Sequence, residues 1–144
     1  MRVTPTVQAL GYAGLVPFIV DPAWRALAPA GAPAWLDAAW IAYVTLVAAF
    51  LAGSFWGFAL LEAEGPDGLI GVLMASGLML LTWGTMLLAM PLRADALIVV
   101  FLLLLLADFW RERTLDTIPG YFRLRSTLTV GVLLALCWRL LERA

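Results

Sequence analysis

The chain has 144 residues with 9 basic and 10 acidic side chains, no His and one Cys; 64% of it is hydrophobic and its net charge is −1. A soluble domain of this size carries about 25% charged residues, so the 13% found here cannot cover an aqueous surface. The scattered charges exclude a nucleic-acid footprint; the lack of His and of a second Cys excludes a zinc site, His-ligated haem, a His-based catalytic relay and an intrachain disulfide. The expected class is all-α: a polytopic membrane helical bundle of about five transmembrane helices, with membrane lipids around it and no cofactor or metal.

The first apolar segment runs from Val3 to Val20, with Pro5 near its start and Pro17 near its end, so a continuous helix is expected from about Thr6 to Leu15 or slightly beyond, within a first span of roughly 6–20. Gly11, Gly14 and Pro17 interrupt this segment, which argues for a retained helix rather than a cleaved signal peptide. Asp21 and Pro22 suit the N-cap and first position of a short interfacial helix over Pro22–Leu27, with Trp24 at the headgroup level.

The second span, about 36–61, contains 24 uncharged residues between Asp37 and Glu62, enough to cross a hydrocarbon core of about 30 Å. Ala49, Gly53 and Gly57 recur at intervals of four as a small-residue stripe, beside Ser54 and Trp56. Its ordinary reading is packing on the third span, or on the first through Gly11 and Gly14; the sharper one is a dimer seam or ligand wall. The turn Glu62–Gly68 joins it to a third span, about 68–90, also within a long uncharged interval. Trp83 falls near the middle of that span, and Trp56 about two turns from the end of the second. Each indole N–H needs a partner, which makes them packed core residues or walls of a pocket. Trp24, Trp35, Trp40, Trp110 and Trp138 lie near span ends and read as interfacial belts.

Met90-Pro91-Leu92-Arg93 leads into a fourth span, about 94–110, with 12 uncharged residues between Asp95 and Asp108; the fifth, about 124–141, has 13 between Arg125 and Arg139. Both reach membrane length if their terminal charges snorkel to the headgroups. Asp108, at a helix C-terminus, needs a cation. Arg111 at i+3 is the nearest, with Arg123 and Arg125 within reach across the connection, and Tyr121 beside them. This reads as an interfacial salt bridge or as an anion or headgroup site built by Arg111, Arg123 and Arg125.

Three stretches carry a family resemblance: Leu10-Gly11-Tyr12-Ala13-Gly14-Leu15-Val16-Pro17-Phe18, Phe50 to Leu60 with Gly53-Ser54-Phe55-Trp56-Gly57, and Tyr121-Phe122-Arg123-Leu124-Arg125-Ser126-Thr127-Leu128-Thr129. In order and over nearly the whole chain, they resemble the bacterial membrane family of unknown function that shares its domain with the mitochondrial transmembrane protein sixty-nine. The resemblance implies a compact five-helix protein of the bacterial inner membrane with no assigned activity. It singles out Gly11, Gly14, Pro17, Gly53, Trp56, Gly57, Tyr121 and Arg125. It also implies one departure: where Phe55 stands, relatives often place His or Arg.

The expected role is a non-catalytic accessory, assembly or scaffold component that meets copies of itself or other membrane subunits through its glycine-faced helices. The alternative is a small oligomeric transporter, channel or carrier for an apolar or anionic molecule. With five spans, five arginines share the side of the N-terminus against four on the other, so the N-terminus is placed in the cytoplasm.

Overall fold

The computed structural model describes residues 3–60, 65–90, 92–114 and 120–142. All regular structure among them is helical: α1 Pro5–Ala13, α2 Val16–Leu27, a 3₁₀ turn Pro29–Gly31, α3 Trp35–Leu60, α4 Pro66–Thr85, α5 Leu92–Thr114 and α6 Tyr121–Leu141. Among the described residues three helices, α3, α4 and α6, are long and apolar enough to cross a membrane. α4 stops at Thr85, five residues short of the expected end of the third span, where three successive bonds donated by Met86, Leu87 and Leu88 N–H to carbonyls three residues back tighten the chain. The acidic residues Glu62 and Glu64 of the turn after α3 lie outside the described residues, as does Pro91 of the turn before α5.

The first expected span is two helices. Proline has no N–H and its ring collides with the carbonyl four residues back, so Pro17 forces a new helix start: Gly14 closes α1 and Leu15 opens α2. Pro22 then sits inside α2 rather than at the head of a separate interfacial helix, and Asp21 is not an N-cap but a wholly buried residue of the same helix. Two carbonyls along this broken stretch are taken up from α3. Phe18 O, which Pro22 cannot serve, accepts the indole N–H of Trp40 at 3.0 Å, and Gly14 O accepts the hydroxyl of Tyr43 at 2.8 Å. Trp40 is therefore a buried structural donor, 3% exposed, and not part of an interfacial belt.

α3 packs most extensively on α4, and α6 on α5 and α2. The buried line of α3 is Thr45, Ala48, Ala52, Phe55 and Ala59, one position away from the expected stripe, and α4 answers with Gly68, Gly71, Ala75, Leu78 and Thr82. Small residues on both sides let the two backbones approach closely, which is what holds helices together in lipid. The hydroxyls of Thr45, Ser54, Ser76, Thr82 and Thr85 donate to carbonyls three or four residues back in their own helices, so each carries its own acceptor.

Candidate functional site

Two charge clusters, one buried and one half-buried, occupy opposite ends of α6. The first joins α5, α6 and α3. Asp108 is wholly buried and Arg125 is 3% exposed; Arg125 Nε stands 3.0 Å from Asp108 Oδ1 and donates to Oδ2 at 3.2 Å. The rest of that guanidinium is also engaged: Nη1 donates to Ser54 Oγ and, at 3.2 Å, to the Tyr121 hydroxyl, while Nη2 donates to Leu51 O at 3.3 Å. Phe55 lies 4.8 Å away with its ring toward the guanidinium carbon, a cation–π contact that a basic side chain at this position would replace with repulsion.

Arg111 is the looser partner. Its Nε is 3.7 Å from Asp108 Oδ1, while its guanidinium carbon lies 4.7 Å from the centre of the Phe58 ring and 5.1 Å from that of Tyr121. The expected interfacial pair thus becomes an interior triad in which the residue 17 positions away in sequence, not the one at i+3, binds the carboxylate. Arg125 does not snorkel outward. Arg123 takes no part: it is exposed and borders a rim hollow with Gln8, Tyr12, Gly120 and Leu124.

The second cluster was not foreseen. Arg139 reaches Asp21 Oδ2 at 2.7 Å and Asp37 Oδ1 at 2.6 Å, and Arg25 reaches Asp21 Oδ1 and Asp37 Oδ1, each at 3.1 Å. Two cations and two anions from α2, α3 and α6 form a closed, neutral ring of contacts. A signal for it existed in the spacing: Arg125 and Arg139 are 14 residues apart, close to four helical turns, and so share the face of α6 that also buries Thr129, Val132 and Leu136.

The proposed packing and pocket residues divide. Gly11 is close-packed on α6, where a β-carbon would stand 3.1 Å from Leu128, and the same atom on Gly14 would lie 3.7 Å from the Tyr43 hydroxyl. These two glycines border a hollow of about 220 Å³ with Leu10, Phe18 and Tyr43, and Pro17 borders another of about 260 Å³ with Asp21, Trp24, Trp35 and Trp40. Ala49, Gly53, Trp56, Gly57 and Trp83 line none of these. Ala49 is half-buried, and a β-carbon on Gly53 or Gly57 would meet nothing within 4 Å, so this stripe does not pack on α4. Trp56 is 44% and Trp83 56% exposed; both are corrected from core indoles to outward-facing ones. For Trp56 the reason is register: the neighbouring alanines of α3, one position away from the expected stripe, already supply the small surface the α3–α4 contact needs.

Among the described residues no group of His, Cys, Asp and Glu could hold a metal ion. The chain belongs to the family described as protein of unknown function (DUF3429), whose model matches residues 3–141. No curated protein and no solved structure matches it.

Proposed function

We propose that this member of the DUF3429 family is a polytopic protein of the bacterial inner membrane that serves as a non-catalytic assembly or accessory subunit, docking other membrane helices on the outer face of α3. The observation that carries the reading is the open glycine face: Gly53 and Gly57 have free space where side chains would stand, flanked by exposed Phe50 and Trp56. In lipid such a surface gains little from hydrophobicity and much from close backbone approach to a second helix. The two charge clusters support it in another way, because Arg125 with Asp108, and the Asp21–Arg25–Asp37–Arg139 ring, are tied up within the chain rather than lined along a polar route. The shared domain with the mitochondrial transmembrane protein sixty-nine and the cytoplasmic N-terminus belong to the same proposal.

Gly53→Ile with Gly57→Ile tests it. The double variant is expected to fold with an unchanged thermal midpoint in detergent, since no neighbour is displaced, and to lose the crosslinked partners or copies that the wild type captures in native membranes. Equal capture by both proteins refutes the docking face. A carrier role has one observation in its favour, an apolar groove of about 570 Å³ between α4 and α5 with Gly77 and Gly84 at its floor; transport of a fluorescent lipid by the purified protein in vesicles would establish that reading instead.

A further inference from the structure

The end of the bundle where α5 finishes and α6 begins carries an imbalance of charge. Asp108, Arg111 and Arg125 are all buried there, two cations against one anion. Arg125 holds the carboxylate on both oxygens and spends its remaining donors on Ser54, Tyr121 and Leu51. Arg111 is 0% exposed, and its Nε, Nη1 and Nη2 all lack a hydrogen-bond acceptor. At 3.7 Å from Asp108 its Nε is beyond hydrogen-bond reach.

The rings of Phe58 and Tyr121 attract the charge but offer the N–H edge no oxygen. A guanidinium cannot shed its proton to relieve this. Glu112, the next residue, is exposed. A second feature adjoins the first: α6 begins after Gly120 with no side-chain cap on its N-terminal N–H groups, and its first residue, Tyr121, is the one whose ring lies against Arg111. Uncapped N–H groups at a helix start favour anions.

We propose that Arg111 anchors a binding site for the anionic oxygens of a phosphate group, presented by a lipid headgroup or as free phosphate, at the junction of the α5 C-terminus and the α6 N-terminus. The anion supplies the missing counter-charge, and its oxygens accept from the planar N–H edge in the forked geometry that suits arginine. Half-buried Phe58 and Tyr121 form the cover that shifts on entry.

The test uses the delipidated full-length chain in neutral detergent, in a background where the exposed Arg113 and Arg123 are changed to Gln. It is titrated separately with inorganic phosphate and with phosphatidylglycerol in mixed micelles, reading the thermal midpoint and, by native mass spectrometry, retained adducts. A ligand that binds only the folded state raises the midpoint. Arg111→Met is expected to weaken the response by about tenfold or more, the usual scale for a charge-assisted hydrogen bond. Response to the lipid alone identifies a headgroup site, and response to phosphate a soluble ligand. If Arg111→Met fails to fold, Arg111→Lys keeps the charge but loses the fork and must also weaken binding. No response to either probe, or an equal response without Arg111, overturns the proposal. It also falls if E62Q/E64Q/D116N lowers the ligand-free midpoint and does so only when Arg111 is present, because the counter-charge is then the chain's own.

Discussion

Asp108 stands between two guanidiniums, and its removal would leave both buried without an anion. Breaking a buried ion pair from one side costs about 3–5 kcal/mol, whereas replacing both members by apolar groups is far milder. Asp108→Leu is therefore expected to lower the unfolding free energy in detergent by about that range, and Asp108→Leu with Arg125→Leu by less, Arg111 being then the one cation left without this anion; equal losses would show that the Arg125–Asp108 contact adds nothing beyond the side chains themselves. That Asp108 needs a cation is readable in the sequence from its place near a helix C-terminus. Which cation it takes is not, because Arg111, Arg123 and Arg125 all lie within a plausible reach and only the rotation of α6 turns Arg125 inward and Arg123 out.

At the scale of elements, the two prolines of α2 explain why α2 leans on α3. Each removes a backbone donor; Trp40 makes good the loss at Phe18 O, which Pro22 leaves unserved, and Tyr43 takes Gly14 O at the break that Pro17 enforces between α1 and α2. If this is the reason for the indole, Pro22→Ala restores an N–H for Phe18 O and makes Trp40 less necessary. Trp40→Phe should then cost about 1 kcal/mol less in the Pro22→Ala protein than in the wild type, measured by a double-mutant cycle on thermal or denaturant unfolding; identical costs would mean that the hydrogen bond contributes nothing. The sequence marked Pro17 as a break but read Pro22 as a helix start, because Asp-Pro has the residue types of a cap. Burial of Asp21 against Arg139 and Arg25 overrides that local preference and carries the helix through.

For the whole molecule, α6 carries both charge clusters, with Arg125 and Arg139 about 21 Å apart along its axis at 1.5 Å per residue. At one end an ion pair fastens α6 to α5 and hydrogen bonds fasten it to α3; at the other, ion pairs fasten it to α2 and α3. If the chain crosses five times, counting α1 with α2 as one crossing and α5 as another, the residues at its two ends lie on opposite faces of the membrane. With the N-terminus in the cytoplasm, an alkaline phosphatase fused after Ala144 should be active and a green fluorescent protein there dark; the reverse result inverts the orientation.

The sequence by itself determined the helical class and the presence of runs long and apolar enough to cross a membrane, because the lengths of uncharged runs are set against a fixed helical rise and a fixed membrane thickness. Only the tertiary structure decided which faces turn inward. α3 and α4 are apolar on every side, so no amphipathic stripe marks the buried face, and Ala48-Ala52 could not be told from Ala49-Gly53 until α4 was in place. The ring at the other end of α6 was hidden for a related reason: Asp37 and Arg139 lie 102 residues apart, and nothing local to either one specifies the partner that folding brings to it.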